Sequence, residues 1–170
     1  MISVLAGLAR WRWLLPLNLA LAIWWALVVD PNTIQGRFLN AAVQGVQVIM
    51  FLAPATAVAG VLAGASLRRN AQRVRTGSRG SAALAAGVCA IHVVIALVAL
   101  SLSSLMVRLS SNASGFDGWQ LLALAGLTAG GASAVGQALG RGLPEVVAAP
   151  TALLGSYVVL AFPRTFAEPL

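Results

Sequence analysis

The segment Leu67–Gly80, LRRNAQRVRTGSRG, carries Arg68, Arg69, Arg73, Arg75 and Arg79 with no acid, and a long apolar run lies on each side of it. Arginine beside the end of a membrane span resists translocation, so if the flanking runs cross a bilayer this loop stays on the cytoplasmic side. That placement orients every other segment. Composition points the same way: the 170 residues are 59% hydrophobic and 9% charged, with mean hydropathy +0.89, where a soluble domain has roughly 25% charged residues. The expected fold is an all-α integral membrane protein, a single transmembrane domain over residues 1–170.

Met1–Ala9 has apolar residues at helical spacing and runs into Arg10-Trp11-Arg12-Trp13, the composition of a short interfacial helix with a headgroup anchor. The apolar stretch over 13–29 is longer than the core of a signal peptide, and no small-x-small cleavage site follows it, so it is read as a first span. Asp30-Pro31-Asn32 supplies a turn. The next spans are expected over 40–67, with a kink at Pro54, then over 81–107 and 119–140. Arg141-Gly142-Leu143-Pro144-Glu145 makes a tight turn into a last span over 145–162, and Glu145 is a candidate partner for Arg141. With the amino terminus cytoplasmic, eight of the eleven arginines fall inside and Arg37, Arg108 and Arg164 outside, as the positive-inside rule requires of about five spans. The arginine-only basic composition suggests a bacterial plasma membrane, with membrane lipids as the first partners.

Three sets of residues stand out within this frame. Asn40, Gln44 and Gln47 recur at i, i+4 and i+7, which puts three amides on one helix face, either bonded to neighbouring helices or lining a polar pathway. Gly126 with Gly130 and Gly136 with Gly140 are GxxxG pairs suited to close helix packing or a subunit interface, and Gly60 with Gly64 is a third. Cys89 and His92 share a helix face, but a closed metal site needs about four ligands and the chain has no second cysteine or histidine. His92 is therefore expected to meet a neighbouring helix. Ser101, Ser103 and Ser104 are expected to bond back to their own helix.

The four acids, Asp30, Asp117, Glu145 and Glu168, all lie in turns or at ends. Proton- and ion-coupled carriers hold ionisable groups within their spans, so an autonomous secondary transporter is not the expectation. No phosphate-binding loop, zinc motif or nucleophile elbow is present, so no enzyme activity, metal or cofactor is expected. The arginines sit at the ends of apolar runs rather than among stacking aromatics, which argues against nucleic acid as a partner.

The start ending in Arg10-Trp11-Arg12-Trp13, the long second span passing through Phe51-Leu52-Ala53-Pro54 to Leu67-Arg68-Arg69, and the basic loop after it together resemble the transmembrane subunit of a type-2 ATP-binding-cassette exporter. The resemblance covers about the first two-thirds of the chain. It implies a permease that works with a separate ATPase, as a homo- or hetero-oligomer, with Arg68, Arg69, Arg73, Arg75 and Arg79 as the ATPase-contact loop and Asn40, Gln44 and Gln47 near the exit. Members of that family have six spans and an exterior re-entrant element, where this chain has room for five spans and no such element. The alternative function is a non-catalytic membrane scaffold or accessory subunit.

Overall fold

A chain this apolar has to satisfy its backbone polar groups internally, and helices do so within each segment. The computed structural model describes residues 10–34, 38–73, 78–113 and 118–166, and all regular elements there are helical. They are α1 (Trp11–Val28), a 3-10 turn (Pro31–Ile34), α2 (Phe38–Val46), α3 (Ile49–Arg73), α4 (Ser78–Ser111), α5 (Trp119–Gly142) and α6 (Glu145–Phe166). The proposed interfacial segment Met1–Ala9, and Arg37 and Arg75, lie outside the described residues.

Among the described residues, three stretches are long and apolar enough to cross a membrane: Asn40–Arg69, Ala82–Ser111 and Trp119–Gly142. The apolar stretches described in α1 and α6, Arg12–Val28 and Glu145–Leu160, belong to helices of 18 and 22 residues. Leu27, Leu124, Leu127, Val135, Val146 and Val159 are each more than half exposed, and apolar surface of that extent is foreign to a water-facing monomer.

The expected second span is not one helix. It breaks at Gln47–Val48, upstream of Pro54, which α3 carries without interruption. At the break the Gln44 carbonyl accepts the Gln47 amide at 3.2 Å and the Trp25 indole N–H at 2.6 Å. A donor from another helix thus replaces part of the regular ladder. Trp24, Trp25 and Phe51 stack around the same point, with Trp24 and Phe51 edge-to-face at 5.5 Å.

The bundle is organised around α3 and α5, which run parallel in direct backbone contact. A Cβ on Gly60 would collide with the Ser133 carbonyl, and one on Gly64 with that of Gln137. Reciprocally, Gly136 rests on the Ala57 carbonyl and Gly140 on that of Val61. Two GxxxG pairs interlock, each supplying the space that the other's backbone fills. The second pair on α5 turns to α4, where a Cβ on Gly126 or Gly130 would come within 2.6 Å of Leu97 or Val93.

The remaining helices clothe this pair. α1 lies along α4, its stripe Leu14, Asn18, Ala22 and Ala26 buried at four-residue spacing. α6 runs antiparallel to α3, where Ala148 and Ala152 pack on Ala57 and Val61. From Leu153 to Leu160 its side chains are mostly exposed.

Candidate functional site

The basic end of the bundle is built by α3 reaching past the α5–α6 turn. Arg68 Nη1 donates to the carbonyls of Arg141 at 3.3 Å and Leu143 at 3.2 Å. These belong to the last turn of α5 and its C-cap, where carbonyls lack helical donors and a cation is favoured. One residue on, Arg69 pairs with Glu145 and also reaches Ser66 Oγ at 3.3 Å. Glu145 therefore bonds across to α3 rather than to Arg141, the partner expected from sequence proximity, because the turn points its first residue at the end of α3. Arg73 is the last residue of α3 and Arg79 the second of α4. Of the proposed contact loop, Arg68 and Arg69 hold the protein's own turn.

The amide set is divided by the helix break. Asn40 Nδ2 donates to the Ile34 carbonyl at 3.0 Å and ties α2 to the 3-10 turn. Gln44 serves through its backbone at the break, and Gln47 lines a cavity of about 220 Å³ with Val43, Ile49, Met50, Leu121 and Leu160.

Between α4 and α5 lies a buried polar cluster that spacing on one helix only half revealed. His92 Nδ1 is 2.7 Å from Ser133 Oγ, and both residues are fully buried. Gln137, one turn further along α5, donates from Nε2 to the Ala85 carbonyl at 3.3 Å and to Cys89 Sγ at 3.1 Å. Its Oε1 meets no donor. Cys89 and His92 thus face Ser133 and Gln137 as a hydrogen-bonded helix contact, and no group of three metal-ligating side chains occurs among the described residues. Ser103 and Ser104 depart from expectation: their hydroxyls are buried without an acceptor. Ser104 presses on Gly45, where a Cβ would lie 2.6 Å from its Cα. Further along α4, Ser110 and Ser111 do bond back, at 2.9 and 2.8 Å from the Val107 carbonyl.

Two apolar grooves flank α6. One, of about 450 Å³, lies over α5 and is lined by Thr128, Gly131, Ala132, Thr151, Gly155 and Ser156, among others. Its hydroxyls are satisfied by their own helices, Thr128 on Leu124 and Thr151 on Val147, and a Cβ on Gly131 or Gly155 would meet nothing within 4 Å. The other, of about 490 Å³, has α3 as its floor and α1 and α6 as its walls, with bulky residues such as Leu17, Leu21, Phe51, Leu154 and Tyr157. Nothing in the sequence marks either groove, because both sides of α6 are apolar.

Comparison with protein-family models, curated proteins and solved structures finds no match for this chain.

Proposed function

We propose that this chain is a multi-pass protein of a bacterial plasma membrane, a non-catalytic subunit that holds a partner's transmembrane helix in the groove between α5 and α6. The observation that carries this reading is that groove's lining of small residues, with Gly131 and Gly155 facing open space. Lipid offers no hydrophobic drive for helix association, so close approach at small residues has to supply it. The paired glycines Gly60, Gly64, Gly136 and Gly140 are consumed inside the bundle. Gly131 and Gly155 are available to another chain.

The packing of α1 supports a reading of five crossings. α1 runs beside α4 from the Leu14–Ile95 contact to the cluster of Ala26 and Val107, and its 18 residues extend about 27 Å at 1.5 Å each. That is close to the roughly 30 Å hydrocarbon core. The end carrying Arg10, Arg12, Arg68, Arg69 and Arg141 is the cytoplasmic one. The test is affinity purification of the tagged chain. A membrane protein retained in stoichiometric amount, and lost with Gly131→Leu or Gly155→Leu while the chain's own melting temperature holds, is the expected result. Recovery of the same material from both variants would sink the reading.

A second reading, the permease of an ATP-driven exporter, is favoured by the hairpin of α3 and α4. These helices continue to Arg73 and from Ser78, past the spans expected over 40–67 and 81–107. The projecting basic helix ends offer a contact to a cytoplasmic ATPase. Retention of an ATPase that is lost with Arg73→Glu and Arg79→Glu would establish this second role.

A further inference from the structure

The two grooves beside α6 differ in kind. Small residues make up most of the α5–α6 groove's lining, with Val135, Leu139, Val159 and Leu160 beside them, and admit a helix backbone. The α1–α3–α6 groove is lined by long side chains that hold a helix backbone off, and it has a feature the other lacks: its floor, α3, and one wall, α1, each lead to an arginine at the same end.

On α1, Leu21, Leu17 and Trp13 succeed one another at spacings of four, so they share one face, and Arg10 precedes the helix as its left-handed N-cap residue. Leu17 and Leu21 line the groove, Trp13 is 78% exposed, and Arg10 is exposed at the helix start. On α3, Val58 lines the groove and Arg69 lies eleven residues further on, about three turns and roughly 16 Å along the same face. The Arg69 side chain is 50% exposed despite its pairing with Glu145. Arg12, also exposed, adds a third cation. An apolar trough that ends in cations, beside a tryptophan of the kind that settles at headgroup level, matches a molecule with an apolar chain and an anionic head.

We propose that the α1–α3–α6 groove binds an anionic phospholipid of the cytoplasmic leaflet. One acyl chain lies over Pro54 and Val58 between Leu17 and Leu154, and the phosphate sits between Arg10 and Arg69. The phosphate shares Arg69 with Glu145, so binding ties the start of α1 to the end of α3 and the α5–α6 turn. The proposal rests on the membrane placement given above.

The experiment uses the full chain in nanodiscs of phosphatidylglycerol and phosphatidylcholine with identical acyl chains, released into the gas phase for native mass spectrometry. The expected spectrum has one retained lipid per chain, with phosphatidylglycerol favoured. Each arginine near a membrane surface contributes about fivefold to anionic preference, so Arg10→Gln, which leaves the Arg69–Glu145 pair untouched, lowers the preference by about that factor. Val58→Trp, which fills the trough without altering charge, removes the retained lipid of either kind. Equal retention of the two lipids, retention unchanged by Val58→Trp, or a lipid-free dimer in place of the one-to-one complex would each overturn the proposal. An alkaline carbonate wash separates its failure from that of the membrane reading: a chain stripped from vesicles was never embedded, whereas an embedded chain without lipid preference refutes the site alone.

Discussion

Gly136 of α5 rests directly on the carbonyl of Ala57 of α3, with no room for a methyl group between them. The contact recurs one turn on, at Gly140 and Val61, and is returned by Gly60 and Gly64. The helices meet through backbone, so the crossing cannot be relieved by a rotamer change.

Gly136→Val or Gly64→Val is therefore expected to lower stability by about 1–3 kcal/mol or more, the range for overpacking a closed site. Gly131→Ala lies on the same helix with nothing near its Cβ, and it should stabilise the chain by up to about 1 kcal/mol through helix propensity. Thermal unfolding in detergent measures both. Equal effects at the two positions would mean that the α3–α5 contact is not where this fold is tightest.

Arg68 and Arg69 are adjacent, yet their loss should be unequal. The Arg69–Glu145 pair is half exposed on one side and a third on the other, and such a pair contributes about 0–1 kcal/mol. Arg68 supplies donors to two carbonyls at a helix end, one of them part-buried, and bonds from a charged group contribute about 1.5–3 kcal/mol. Arg68→Gln is expected to destabilise more than Arg69→Gln. The charge-reversed double variant Arg69→Glu with Glu145→Arg should recover most of what either single reversal loses.

Much of this architecture was legible in the sequence. Arginine clusters and turn residues mark the helix ends, and α4, α5 and α6 start within a few residues of the positions that Ser81, Trp119 and Glu145 indicate. The GxxxG pairs were legible one helix at a time, but that Gly60 and Gly64 face Gly136 and Gly140 is a relation between segments some seventy residues apart. The break at Gln47–Val48 was hidden for a different reason. Pro54 is the local cue, while the cause lies in the Trp25 indole of another helix. The grooves were invisible because the exposed part of α6 is largely valine, leucine and tyrosine, and a helix that is apolar on all sides carries no amphipathic stripe to say which side packs.

The Trp25 indole offers a direct check on that break. Trp25→Phe keeps a ring beside Phe51 but removes the N–H that reaches the Gln44 carbonyl. The expected cost is about 1 kcal/mol, with faster amide hydrogen exchange confined to residues around Gln47. Exchange spread over all of α3 would show that the indole holds the helix and not the break.

Asn18 tests the packing of α1 against α3 and α4. It sits in the buried stripe between Leu14 and Ala22, is fully buried, and neither its Nδ2 nor its Oδ1 has a partner. An amide closed off from donors and acceptors costs about 1–3 kcal/mol by protein mutational scales. Its neighbours along the stripe are apolar and pack on Ala59, Ile95, Ala96 and Ala99, so no nearby group is positioned to lose a bond when the amide goes. Asn18→Leu removes the penalty with a side chain of similar branching, and Asn18→Ala removes it without adding volume. At least one should raise the melting temperature in detergent, which is opposite in sign to the usual effect of a buried substitution. If both lower it, the amide is bonded in the folded protein, and the α1–α4 interface is a polar contact rather than an apolar seam.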